Sequence, residues 1–408
     1  MHLQDRYGPV VRFGAGPMTY VFLFGREANE LVLGERHSTF LWGDALRALE
    51  PVDGPTALVL SDGDEHKRRR RLVQPAFATR RIDAAVPIIV DEVDRVLDAL
   101  RPGEEVDLYD RYRSAVRRIV TRVLFGDALG RRADELGEIL EPALRFISRP
   151  PQLTYLGMPG SFAARRARRR ADALVDEEIA RRRASGDHGS DILGMLLATG
   201  LSDAELRDQV VSLIAAGYDT TSGAVAFAIL ELLRTPGEWE RVRAEVIEHL
   251  GDRAPTADDL RAMPYVAAVV NETLRLWPAP FSGRTTTETF TYAGHEVRAG
   301  STIVFSPFVT HRSSELWGDD AATFRPERWL ETEPAPYTFI PFGGAYRRCI
   351  GFALALTEIQ TVVARLVQRT TLRLAEPGRV DRGTGIAAMR PEHGLRVVVE
   401  SVRQPLPA

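Results

Sequence analysis

One lysine and one cysteine are all that the chain holds of either residue. The single cysteine, Cys349, excludes an intramolecular disulfide and makes a reducing compartment the natural expectation. The single lysine, Lys67, among 53 Lys+Arg is read as a base-composition bias. An abundance of arginine is therefore weak evidence for phosphate or carboxylate binding here. No run of 18 or more uninterrupted apolar residues occurs, so no membrane span is expected. The opening Met1–Arg6 run has no apolar signal-peptide core, and the expected location is cytoplasmic. Fixed-period repeats and low-complexity linkers are missing too. The net charge is only −3, which gives no reason to expect a nucleic-acid partner.

What is there is 408 residues, 44% hydrophobic and 27% charged, enough for a large core. Val10–Phe13 and Thr19–Leu23, around Gly14-Ala15-Gly16-Pro17, read as two short strands and a turn. From about Asp91 to Leu276 the pattern is mainly helical, with arginine-rich polar faces. Phe290–Phe305 reads as strands again, with Ala293-Gly294 at a turn. A helix follows from Phe352 to Gln368, then strand-like runs at Thr371–Leu374 and Leu395–Val399. The expectation is one mainly α domain over residues 1–408. Its helical body covers about 60–280 and 350–368, and its β-rich parts lie near 10–25, 290–305 and 370–400.

One helix stands out. Ser202-Asp203-Ala204-Glu205 is a capping box. The apolar pattern runs on to Leu233, where Thr235-Pro236-Gly237 stops it. That predicts about 45 Å of helix at 1.5 Å per residue, a spine for the fold. Its middle reads Ala216-Gly217-Tyr218-Asp219-Thr220-Thr221. Mid-helix glycine costs about 1 kcal/mol against alanine, and paired β-branched threonines are poor helix formers. Local rules broken inside a strong helix point to function. Gly217 would admit a flat group to the backbone, and Thr220 would open the helix hydrogen bonding and hold a water.

The segment Phe342-Gly343-Gly344-Ala345-Tyr346-Arg347-Arg348-Cys349-Ile350-Gly351 is a glycine-rich loop feeding a helix N-terminus. Free N–H groups and the positive dipole end there favour a thiolate, which can bind iron. Composition alone favours an inert, buried cysteine. The run, however, resembles the haem-binding loop of the cytochrome P450 superfamily, Phe-Gly-x-Gly-x-Arg-x-Cys-x-Gly. Every anchor is present except the glycine four before the cysteine, which is Ala345. The resemblance makes Cys349 the axial ligand of haem b (iron protoporphyrin IX), held in a loop with Phe342, Gly343 and Gly351. Arg347 takes the position of a propionate contact.

Further runs follow the family's order from about Asp64 onward. His66 and Arg70, four apart, share a helix face and resemble the family's propionate-facing His-x-x-x-Arg pair. Arg284, twelve residues after Glu272, matches a second propionate ligand. Cations are apt there because a haem brings two carboxylates into a buried site. Glu272, Arg275 and Arg328 resemble the family's structural triad, assigned to folding around the haem. The spine run matches the oxygen-activation motif. That implies proton delivery by Asp219 and Thr220, with Ala216 and Gly217 beside the cofactor.

The implied fold is the mainly α cytochrome P450 fold with a small β region. The implied reaction inserts one oxygen atom from O2 into a small, lipophilic substrate. Electrons must come from outside, from a ferredoxin or flavodoxin with its reductase, because no G-x-G-x-x-G after a strand marks a nicotinamide module. Lys67, Arg68, Arg69, Arg71 and Arg348 are expected to form a basic patch near the thiolate that steers an acidic donor. The rivals are a peroxide-dependent peroxygenase and a non-catalytic haem-binding or sensor protein. Neither needs the Asp219-Thr220 pair. A haem-free helical protein is a third. By position, Leu46, Ala215, Phe281, Ser282 and Ile386 are expected near the distal face.

Overall fold

The computed structural model describes residues 2–14, 19–34, 38–147, 161–186, 189, 191–378 and 389–403. The helices that build the site are α1 (Glu50–Asp53), α2 (Gly63–Val73), α3 (Thr79–Asp98), α4 (Leu108–Gly130), α5 (Ala133–Ile147), α6 (Ser161–Ser185), α7 (Asp203–Arg234), α8 (Pro264–Leu276) and α9 (Phe352–Arg369). Their starts follow from sequence. Asp107 caps α4 by accepting from the Tyr109 and Asp110 amides, and Pro264 opens α8 at a position that needs no N–H.

At α7 the capping box closes in both directions. The Ser202 hydroxyl accepts from the Glu205 amide at 3.3 Å, and the Glu205 carboxylate accepts from the Ser202 amide at 3.1 Å. The helix runs 32 residues, about 48 Å, slightly longer than its apolar pattern predicts. Between Thr221 and Leu232 every residue is buried, so all faces of this stretch pack against protein. By length and composition α7 could cross a membrane, but its apolar window is 72% buried inside the fold. A Cβ at Gly217 would meet Val120 of α4 at 2.9 Å. The absent side chain thus serves close packing of α4 on α7.

The strands are β1 (Val10–Phe13), β2 (Tyr20–Leu23), β3 (Phe40–Leu41), β4 (Glu105–Asp107), β5 (Ser282–Thr286), β6 (Phe290–Tyr292), β7 (His295–Val297), β8 (Thr302–Phe305), β9 (Thr370–Leu374) and β10 (Arg396–Val402). They form a five-stranded sheet, β1-β2-β8-β5-β3, a three-stranded sheet, β4-β10-β9, and a β6-β7 hairpin. The strands expected over Phe290–Phe305 are β6, β7 and β8, with the hairpin turning at Ala293-Gly294 as the sequence suggests. Strand β5 was not anticipated. Ser282-Gly283-Arg284-Thr285-Thr286 has no apolar alternation, and its pairing with β8 and β3 makes it a strand.

Candidate active site

A cavity of about 820 Å³ lies where α7, the cysteine loop, α9, α1 and β5 converge. Cys349, Phe342, Gly343 and Gly351 line it, as do Ala216, Gly217, Asp219 and Thr220 from α7. Ala216 is the exposed member of the spine motif, and it faces the cavity together with Gly217. Leu46, Ala215, Phe281, Ser282 and Arg284 are also in the wall. Ile386 lies outside the described residues. His66, Arg70 and Arg347 sit behind the cysteine loop and not in the wall: His66 packs edge-on to Tyr346, 4.7 Å between ring centroids.

The loop is tied by its own backbone. The Cys349 amide donates to the Phe342 carbonyl at 2.9 Å, and Gly343 takes a φ of 70°. Ala345, at the family's glycine position, adopts φ 43°, so the loop keeps a left-handed turn despite its methyl group. A left-handed residue with a Cβ costs about 1–2 kcal/mol. Ala345→Gly is therefore expected to stabilise the haem-loaded protein by about 1 kcal/mol, less glycine's added freedom in the unfolded chain. A denaturant midpoint that falls in this variant would refute that account of the loop.

Cys349 is exposed to the cavity, and desolvation by the protein around it raises the thiol above its ordinary pKa, while the Gly351 amide, Arg70 and Arg348 pull it back. The expectation that a helix end alone would yield a thiolate is corrected: desolvation is the largest cause. A metal ion bound at sulfur deprotonates a thiol outright, so ligation does not require a thiolate beforehand.

Three arginines lie at this end of the cavity, Arg284 buried in its wall and Arg70 and Arg347 half-buried behind it. Burial lowers the pKa of Arg70 and Arg347, and it pushes Arg284 down to about 9, with Arg347's charge adding to the effect. Every other arginine shift resolved among the described residues goes upward, toward an acidic partner. Arg284 donates only to the Ser282 hydroxyl and the Gly283 carbonyl, and stacks on Trp42 at 3.7 Å. Arg347 is held by the Ser61 carbonyl and by Asp62, whose other contacts are the Trp42 and Gly43 amides. Among the described residues these three cations share one carboxylate at ion-pair distance, Asp62 on Arg347. A group carrying two carboxylates fits here, as does a cysteine for its iron.

Glu272 is fully buried between two arginines. It accepts from Arg275 at 2.8 and 2.7 Å and from Arg328 at 3.0 Å, and the Trp329 indole and Arg325 amide complete its shell. Arg275 also donates to the carbonyls of His311, Ala321 and Thr323. His311 carries the chain onward: one ring nitrogen meets the Arg275 carbonyl at 3.1 Å, and the other accepts from the Ile340 amide at 2.8 Å, two residues before Phe342. Burial and Arg275 push its pKa down to about 3. His311 was missed from sequence because a lone histidine carries no spacing signal.

On α7 the Thr220 hydroxyl donates to the Ala216 carbonyl at 2.8 Å, and the helix continues through the motif. The predicted opening of the helix is therefore absent, since the hydroxyl takes an acceptor one turn back. Asp219 is flanked by Arg113 at 3.3 Å and Arg390 at 3.5 Å, and Arg113 also holds Glu141 at 2.7 Å. A residue not named from sequence joins them. Glu358 of α9 lines the cavity, contacts Thr221 and is fully buried, which raises its pKa well above normal. One of its oxygens has no partner. The signal was present: Glu358 interrupts the apolar stripe of Leu354, Ile359 and Val362.

The comparisons with known proteins agree with this geometry. The family description "Cytochrome P450" matches residues 1–396. The chain belongs to the cytochrome P450 family. It is 43% identical to a putative cytochrome P450 139 of Mycobacterium tuberculosis, over 98% of this chain and 96% of that one. It is 35% identical to cyclooctat-9-en-7-ol 5-monooxygenase of Streptomyces melanosporofaciens, over 78% and 72%. Among solved structures, retinoic acid-bound cyanobacterial CYP120A1 superimposes with a TM-score of 0.89 at 26% identity, covering 98% of this chain and 93% of that one. This P450 is thus a haem-binding oxidoreductase of the monooxygenase class.

The basic run beside its cysteine loop is less basic than the sequence suggests. Lys67 pairs with Asp64, while Arg68 and Arg69 turn to Glu65 and to Glu205 at the start of α7. Arg69 is also buried, against Ser61. That leaves Arg71 and Arg348 as the exposed cations of the run that form no ion pair among the described residues.

Proposed function

We propose that this P450 inserts one oxygen atom from O2 into a cyclic, terpenoid-sized substrate, using haem b ligated by Cys349 and electrons from a separate ferredoxin or flavodoxin. The observation that carries the reading is the shared cavity, which brings Cys349 and the Asp219-Thr220 pair together. Thiolate-bound haem supplies the oxygen activation, because the sulfur's electron push favours O–O cleavage. Arg70, Arg284 and Arg347 would hold the propionates and so orient the ring. Thr220 would offer the proton of its hydroxyl from the cavity wall. Asp219 swings between its arginines and the cavity to resupply that proton, and protonated Glu358 beside Thr221 is a second store.

The substrate class rests on two supports. The wall is mostly apolar, with Val120, Leu124, Leu144, Leu213 and Phe281 in it. Two relatives are named cyclooctat-9-en-7-ol 5-monooxygenase, after a cyclic alcohol, and cyclooctatin synthase. Arg71 and Arg348 are the docking cations for the donor, and the cytoplasm is its compartment.

Reduced, CO-bound protein is expected to show the red-shifted Soret band of thiolate ligation. A histidine-type band in freshly reduced, folded protein overturns the assignment of Cys349.

A further inference from the structure

The loop from Val52 to Leu58 is stapled to the helices around it. Arg168 of α6 donates to the Val52 carbonyl at 2.7 Å and also binds Asp172 and Asp208. Asp208 of α7 accepts from the Thr56 amide at 2.8 Å and the Thr56 hydroxyl at 2.6 Å. Gln209 accepts from the Leu58 amide at 3.0 Å and donates to the Thr56 carbonyl at 2.7 Å. A Cβ at Gly54 would strike the Asp208 carboxylate. A segment so constrained holds its side chains in fixed places.

One of those side chains is Asp53, buried and in the wall of the cavity. A carboxylate has about four acceptor positions. Among the described residues the side-chain donor that acts on it is the Ser212 hydroxyl of α7. The charged groups that act on it are Arg168, whose hydrogen bonds go elsewhere, and Asp208, which repels it. Burial outweighs both and pushes its pKa up to about 6. At neutral pH Asp53 is thus an under-filled acceptor in a mostly apolar wall, with Arg168 already supplying a positive charge. The position calls for a neutral donor and not for a second cation.

We propose that Asp53 is the polar anchor of the substrate cavity, accepting a hydrogen bond from a hydroxyl on an otherwise apolar polycyclic substrate. The inference rests on the P450 reading above and goes beyond it by naming the group that sets substrate orientation.

The test uses haem-loaded protein whose CO spectrum already shows thiolate ligation, so that failure of the anchor is separable from failure of that reading. Two matched sets serve as probes: cedrol, cedryl methyl ether and cedrane, and androstan-3-ol, its 3-methyl ether and androstane. Binding is read as displacement of iron-bound water. A hydrogen bond to a charged acceptor corresponds to about ten-fold or more in affinity. Wild type is expected to prefer at least one alcohol over its ether by about that factor. Asp53→Leu loses the preference while keeping its affinity for the hydrocarbon. Affinity for the alcohol also declines as pH falls through about 6, because protonation removes the stronger acceptor, and Asp53→Asn flattens that profile. Alcohols that bind no better than their ethers, non-binding included, or a preference that survives Asp53→Leu, overturn the proposal.

Discussion

Asp219→Asn slows substrate oxidation by about 10²-fold or more while haem content and the CO spectrum stay as in wild type. The side chain keeps its volume, and Arg113 keeps its contact with Glu141, so the packing of α4 on α7 has no reason to change. What is lost is a group that can take a proton from solvent and release it in the cavity. A turnover number within about two-fold of wild type under saturating donor would remove Asp219 from proton delivery. Thr220→Ala gives the complementary result. Its hydroxyl bonds only one turn back, to Ala216, so the helix survives its loss. Reductant is still consumed, but a larger share of the electrons ends as peroxide. Unchanged coupling with a well-coupled substrate would refute the role of Thr220.

Glu272→Gln is expected to yield little haem-loaded protein. The substitution keeps the shape but removes the charge facing Arg275 and Arg328, both buried. Breaking a buried pair from one side costs about 3–5 kcal/mol, because a charge is left uncompensated. The damage reaches the cysteine loop through Arg275, His311 and the Ile340 amide. His311 adds a pH dependence to the same linkage. Its folded pKa lies below the ordinary value, so the unfolded chain binds a proton that the folded chain refuses. Stability is therefore lost as pH falls from about 6.5 toward 3. Haem content from the CO spectrum and unfolding midpoints between pH 4 and 8 check both statements. A variant with wild-type haem content and midpoint would show that the triad is dispensable.

The legible parts of this protein were those written in local chemistry. The capping box at Ser202, the stop at Pro236 and the apolar run between them locate α7 to within a residue or two. Cys349 stands out because its loop has anchors at fixed offsets. The glycine at 217 was legible as an anomaly but not in its cause, since Val120, nearly a hundred residues earlier, occupies the space. Strand β5 and the fate of Arg68 and Arg69 depend on partners distant in sequence, β8 and Glu205. Asp53 and Glu358 carry no motif in the notation used to find the others. Glu358 shows only as a break in the apolar stripe of α9, and Asp53 is marked by its burial alone.

The scarcity of lysine has a practical side. Lys67 is the chain's one side-chain amine, and it sits exposed on α2, one turn from the helix residue Arg71. Amine-selective reagents that leave the chain's amino terminus aside would therefore attach at one known address. A redox partner or photosensitiser tethered there would deliver electrons from a fixed distance, with no need to engineer other attachment points away.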